Sequence, residues 1–298
     1  MVADSAAALE IKPEDAGHFS HLVAETGALF GARHYRQYHF LLTLSEHVAH
    51  FGLEHHQSSD NRVGERFLID EEARKLSAIL LPHEMTHSWN GKYRRPAGLA
   101  TLDFHQPMKG ELLWVYEGLT DYLGVVLAAR SGLWTNENAR EDLALNAARL
   151  DYQTGRNWRP LADTTVAAQL LYFARPEGTA WRRSVDFYPE GDLIWLEADV
   201  LIRQQTQGRS SLDDFCQRDS LGAKTERPRS FPTRWTTSWP GSTESLRTTG
   251  GSSSRRASMP PTHTPRSVAS KARAGGWFTT TRCRTCSSPP KARASSPT

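Results

Sequence analysis

Leu81-Pro82-His83-Glu84-Met85-Thr86-His87-Ser88-Trp89-Asn90 is the stretch on which the reading of this chain turns. On an α-helix, residues four apart share one face, so His83 and His87 present two imidazoles side by side. Two such nitrogens can hold one metal ion, with Glu84 beside them to take a proton from a metal-activated water. A catalytic zinc keeps three protein ligands and an open position, so a third donor is needed. Thirty residues on, Leu112-Leu113-Trp114-Val115-Tyr116-Glu117-Gly118-Leu119-Thr120-Asp121-Tyr122 offers one. Glu117 stands among apolar neighbours, where an unpaired charge would be costly, which points to a cationic partner. Asp121 lies four residues later on the same face and is placed to accept the free N–H of a metal-bound histidine and orient its ring. One zinc ion held by His83, His87 and Glu117, with Glu84 as base, is the expectation.

Around this pair of segments the hydrophobic pattern is mixed. Residues 15–31 carry apolar side chains at helical spacing and stop at Gly31, and Tyr38–Leu44 reads as a strand. Residues 47–56 are expected to continue extended through Gly52. Helices are expected over 71–90, 111–130, 136–150 and 190–206, and Ser211 is a cap that opens another. The fold class is therefore α+β, a small N-terminal sheet followed by a mainly helical part, with strands confined to the front.

Composition divides the 298 residues in two. Residues 224–298 hold 14 Lys/Arg, 2 Asp/Glu, 28 Ser/Thr and 9 Pro, whereas 1–223 hold 22 basic and 31 acidic residues. The net charge of +3 thus averages an acidic body and a basic tail. So polar a tail cannot bury enough apolar area to offset ordering entropy. The expected division is a catalytic domain over 1–217 and a Ser/Thr/Arg/Pro-rich tail over 218–298, either disordered or an out-of-frame translation, with no catalytic residue in it. A basic tail can bind nucleic acid through charge alone, but no fold motif implies a specific nucleic-acid partner.

Other classes are set aside on composition. No run of about 18 apolar residues suggests a membrane span. The N-terminal segment has acidic residues and no apolar core, unlike a secretory signal. Cys216, Cys283 and Cys286 are too few for a disulfide framework, and Cys283-Arg284-Thr285-Cys286 lacks the second pair a zinc site would need. As it stands the chain reads as reduced and cytoplasmic. His55 and His56 are adjacent on an expected strand and point to opposite faces, so they are not a ligand pair.

HExxH, a gap, then Trp114-Val115-Tyr116-Glu117-Gly118 with Thr120 and Tyr122 resembles the gluzincin metallopeptidases, specifically the glycyl aminopeptidase family. The resemblance extends over about 20–217, through Gly52-Leu53-Glu54-His55, Trp89-Asn90 with Lys92, Arg95-Pro96, Arg130–Leu133, Gly155-Arg156 and Ser211–Asp214. It implies a thermolysin-like catalytic domain acting on a peptide substrate. In the family that domain is usually flanked by a β-rich N-terminal domain and a PDZ-like module, so the chain is expected to be a catalytic-domain fragment. Carried over by position, His83, His87 and Glu117 match the zinc ligands and Glu84 the general base. Gly52, Leu53 and Glu54 match the strand that lines the substrate, and the glutamate there holds the substrate's α-ammonium in related aminopeptidases. Tyr188 matches a tyrosine that can hydrogen-bond the oxyanion of the tetrahedral intermediate. Phe51, where a second glycine is common, and Pro189-Glu190, where a polar residue and lysine are usual, depart from the pattern. The expected function is zinc-dependent release of N-terminal residues from peptides. A zinc endopeptidase and a catalytically inactive binding module with a basic tail are the alternatives, and the oligomeric state is left open.

Overall fold

The computed structural model describes residues 1–217, together with the backbone of 231–233. In chain order the elements begin with β1 (Val2–Ala3), α1 (Pro13–Phe30), β2 (His39–Leu44), β3 (Phe51–Glu54) and β4 (Ser58–Val63). The helical part follows as α2 (Glu71–Leu76), α3 (Leu80–Thr86), the short β5 (Arg94–Pro96), α4 (Leu113–Tyr116) and α5 (Gly118–Ser131). It continues with α6 (Asn136–Asp151), α7 (Leu161–Val166), α8 (Ala168–Leu171), α9 (Thr179–Arg182), α10 (Pro189–Gln205) and α11 (Leu212–Phe215), and β6 (Phe231–Thr233) comes last. A small front sheet and a mainly helical remainder make the fold α+β.

The sheet has the order β1-β2-β4-β3, with β2 parallel to both its neighbours and β3 antiparallel to β4. β3 therefore ends the sheet at one edge. The extended run expected over 47–56 shrinks to these four residues, because the chain bends at 46–48 before it and at 56–57 after it. β4 has no counterpart in the hydrophobic pattern. Its sequence, SSDNRV, is polar, yet Ser59 and Asn61 are fully buried. Asn61 Nδ2 donates to the Ser59 carbonyl and Ser59 Oγ at 3.0 Å, and these bonds offset the burial of a polar strand face. Strands are also not confined to the front, since β5 pairs in parallel with β6. β6 lies inside the segment expected to lack regular structure; the rest of that tail, with Cys283 and Cys286, lies outside the described residues.

α5 is the spine of the helical part and packs against α1, α3 and α10. Twelve of its fourteen residues are buried. The stretch Gly110–Ser131 has the length and mean hydropathy, 1.3, of a membrane span, but 72% of that window is covered by the rest of the fold, as in a core helix. Trp89 fixes α3 to α1: its ring stacks on Phe30 at 4.5 Å and its Nε1 donates to the Ala32 carbonyl at 2.8 Å.

Two expected helices are broken, each beside a site residue. The 71–90 helix splits at 77–79, just ahead of Pro82, which has no N–H to bond the turn before it. The 111–130 helix bends at Glu117, the last residue of α4's turn and the cap of α5. At that bend Gly118 meets Gly191 of α10. A Cβ on Gly118 would stand 2.7 Å from the Phe187 carbonyl oxygen and 2.9 Å from Gly191 Cα, so only glycine allows the crossing.

Candidate metal centre

α3 carries His83, Glu84 and His87 toward the bend at Glu117. His83 Nε2 and His87 Nε2 lie 3.1 Å apart, and Glu117 Oε2 is 3.4 Å from the first and 3.3 Å from the second. A tetrahedral ion with bonds of about 2.0–2.1 Å separates its ligands by about 3.3 Å, so the three atoms fit one ion. Among the described residues this is the only group of three or more His, Cys, Asp or Glu side chains close enough to hold a metal, which leaves a fourth position open. His55 and His56 take no part in it.

The rings are aimed by their other nitrogens. His83 Nδ1 meets Asp121 Oδ1 at 3.1 Å, the contact expected from the spacing of Glu117 and Asp121. His87 Nδ1 donates to the Asn90 carbonyl at 2.9 Å. A carbonyl only accepts, so the Nδ1 carries the proton and the Nε2 lone pair faces the site. Asn90 in turn donates to the carbonyls of Val115 at 2.9 Å and Tyr116 at 3.2 Å, and to Thr120 Oγ1 at 3.0 Å. One side chain thus ties the end of the histidine helix to the segment that carries Glu117. Sequence reasoning assigned Asn90 no role beyond the resemblance.

The charges reinforce one another. Burial works against the charged forms of His83 and His87, yet Asp121 and Glu117 raise His83 strongly, and Glu117 and Glu54 raise His87. Burial likewise opposes the charge of Glu117, and the facing histidines hold its carboxyl well below the usual range. Burial raises Glu84, although His83 and His87 pull the other way. A carboxylate so raised is a stronger base than an ordinary one. The Glu84 carbonyl also accepts from Tyr38 Oη at 3.1 Å.

β3 forms the opposite wall. A Cβ on Gly52 would collide with Glu84 Oε1 and lie 2.8 Å from Leu80 Cδ1, so the missing side chain is what makes room for the base. Residues alternate across a strand, which places Glu54 on the same face as Gly52 and turns Leu53 away. Leu53 is 41% exposed and does not line the cleft, so any contact it makes with a peptide there comes from its backbone. Phe51, with the Arg62 guanidinium 4.8 Å from its ring centre, contributes to the lining of the cleft beside Gly52. Glu54 Oε1 accepts from Tyr116 Oη at 2.5 Å and faces Lys92 Nζ at 3.1 Å. Burial opposes its charge, but His87, Lys92 and the tyrosine hydroxyl bring the carboxyl down to about 2.

Tyr188 lines the same cleft, its ring centre 6.0 Å from that of His83. Burial, then the neighbouring carboxylates, raise its phenol well above the ordinary value, so the hydroxyl remains a donor. The segment that carries it is held by a buried charge network. Arg183 donates to Asp186 Oδ2 at 2.7 Å and also pairs with Glu190, and Glu190 is shared with Arg156. The departure at Glu190 is thereby explained: the side chain turns inward to close this network. Leu76 and Tyr172, unforeseen from sequence, line the rim and are largely exposed.

Residues 77–194 match the model of the M61 glycyl aminopeptidase family, the family named from the motifs. Among solved structures the chain is similar to an aminopeptidase N family protein from Idiomarina loihiensis, at 22% identity and a TM-score of 0.63. The similarity covers 72% of this chain and 36% of that one, so the chain spans about a third of that protein's length. No curated protein sequence matches the chain.

Proposed function

On the premise of the family match over 77–194, we propose that the chain is a zinc-dependent aminopeptidase with a thermolysin-like catalytic domain. The observation that carries this reading is the convergence of His83, His87 and Glu117 on one point, with Glu84 and Glu54 facing the same cleft. Two imidazoles and a carboxylate with one open position are the donor set of a hydrolytic zinc site. A zinc ion bound there supplies Lewis acidity, acidifying a water and polarising the scissile carbonyl. Glu84 takes the proton of the attacking water and passes it to the leaving amine. Tyr188 donates its hydroxyl to the oxyanion as the carbonyl becomes tetrahedral. Glu54 accepts the substrate's amino group, which fixes how far the chain end lies from the bond to be cut.

A second reading, an endopeptidase cleft in which Glu54 is structural, draws on one observation: Tyr116 and Lys92 already occupy Glu54 Oε1. The deciding experiment is metal analysis of the purified protein with a panel of aminoacyl anilides and their N-acetylated forms. The aminopeptidase reading expects about one zinc per chain and hydrolysis of free-amine substrates alone. Glu84→Gln is expected to retain the metal and lose about 10²–10⁴ in turnover. Equal cleavage of acetylated substrates would favour the endopeptidase, and undiminished turnover in the variant would remove Glu84 as the base.

A further inference from the structure

Arg183 follows α9 in a backbone conformation, φ 66° and ψ 169°, that only glycine adopts freely. Any other residue stays there only where its surroundings hold it, and here they do so from several sides. The side chain is 2% exposed. It donates from Nε to Asp186 Oδ2 at 2.7 Å, from Nη1 to the Arg159 carbonyl at 2.8 Å, and from Nη2 to Glu190 Oε2. Its backbone N–H donates to the Thr179 carbonyl at 2.8 Å. Arg156 Nη2 donates to the other oxygen of Glu190, and the Ser184 N–H to the other oxygen of Asp186, each at 3.2 Å. A Cβ on Gly155 would stand 2.8 Å from Arg183 Cγ, so a bare backbone closes over the stem of the arginine.

Paired charges taken out of water are a weak source of stability, whereas the planar five-donor fork of an arginine fixes geometry closely. The geometry fixed here is that of Tyr188. Asp186 stands two residues before it and Glu190 two residues after it, and the Glu190 N–H donates to the Asp186 carbonyl at 2.8 Å. One guanidinium thus clasps both ends of the turn that has Tyr188 at its centre. Among the described residues the Tyr188 hydroxyl takes no hydrogen bond. Its ring rests against Phe187, 4.8 Å between centres, and against His83. With no partner to aim it, the hydroxyl takes its place from the backbone that Arg183 holds.

We propose that Arg183 is a positioning residue for the reaction: it acts through Tyr188, keeping the hydroxyl where the oxyanion forms. This rests on the reading of Tyr188 as the oxyanion donor. Such a donor works at about 2.7–3.1 Å from the oxyanion, and a misplacement of about 1 Å costs up to about 10² in rate. The contact is made in the transition state, so its loss falls on kcat and leaves KM in place.

The test is a double-mutant cycle of Arg183→Lys and Tyr188→Phe on alanine 4-nitroanilide, with kcat expressed per bound zinc and melting temperature read for each variant. Arg183→Lys keeps the charge and loses the fork, so kcat should fall about 10- to 100-fold with KM within about twofold. In the Tyr188→Phe background no hydroxyl is left to misplace, and the same change should cost less than about twofold. An equal loss in both backgrounds, or an unchanged kcat in Arg183→Lys, would overturn the proposal. Asp186→Asn, which leaves the Arg183–Glu190 pair in place, carries the same cycle should the lysine variant unfold. Tyr188→Phe by itself tests the premise. An unaltered kcat there removes the tyrosine from the reaction, and the proposal with it, whereas a lowered kcat with additive losses removes the role of Arg183 alone.

Discussion

The two walls of the cleft hold their charges by different means. On the helical wall, His83 and His87 are four residues apart, as are Glu117 and Asp121, and each histidine is aimed by a partner on Nδ1. On the strand wall, Glu54 sits on a four-residue edge strand and takes its position from Tyr116, 62 residues away, and from Lys92. Gly52 contributes by having no side chain at all. The helical wall owes its geometry to the α-helical repeat, which is local and rigid. A short edge strand has few contacts of its own and borrows precision from the helices it faces. Under the proposed function, the metal-holding groups and the base belong to the first wall, and the anchor for the substrate's amine to the second.

That division can be broken experimentally. Glu117→Ala should have the largest effect, because under the proposed function it removes a metal ligand, the carboxylate that faces both imidazoles. Metal content after dialysis should fall to background and activity with it, and a variant that keeps stoichiometric zinc would mean the third ligand lies elsewhere. Glu54→Ala should be next. A charge-assisted contact is worth roughly 1.5–3 kcal/mol, so kcat/KM on free-amine substrates should fall about 10- to 150-fold, with N-acetylated ones hardly affected. An equal loss on both would move Glu54 from recognition to structure.

Gly52→Ala probes the contact between the walls. The added Cβ collides with Glu84 Oε1, and overpacking of this kind costs about 1–3 kcal/mol. Expressed in turnover that is roughly 5- to 150-fold, at unchanged metal content. Normal turnover would show that Glu84 has room to move. Asp121→Asn should have the mildest effect, because it keeps the shape and weakens only the acceptor for His83. Zinc affinity, measured by competition with a chelator, should fall about tenfold or somewhat more. No change in affinity would mean that the Asp121 contact does not orient the ring.

Legibility in the sequence followed the same line. His83 with His87, and Glu117 with Asp121, could be named from spacing because helical periodicity puts each pair on one face; Glu84 came from its place in the motif and Glu117 from its apolar neighbours. The helix breaks at 77–79 and at Glu117 were less visible, although Pro82 stood in the text as a cause of the first. β4 was not visible at all. Its inward face is Ser59, Asn61 and Val63, and two of those residues are polar groups satisfied by hydrogen bonds that no hydrophobic pattern announces. The outward turn of Leu53 required only that the strand be placed correctly, since alternation does the rest.

Residue type and spacing were sufficient to single out the cluster of His83, His87 and Glu117 with Glu84 beside it, the α+β organisation, and the acidic body with its basic tail. These depend on backbone geometry and composition, which are local properties. Packing alone assigned Asn90 to His87, Tyr116 and Lys92 to Glu54, and Glu190 to the arginines that hold the Tyr188 segment. It also brought Tyr188 to the cleft, through the close crossing of Gly118 and Gly191. Each of these contacts joins parts of the chain whose separation in sequence carries no geometric information, so its existence follows from how helices and sheet are stacked.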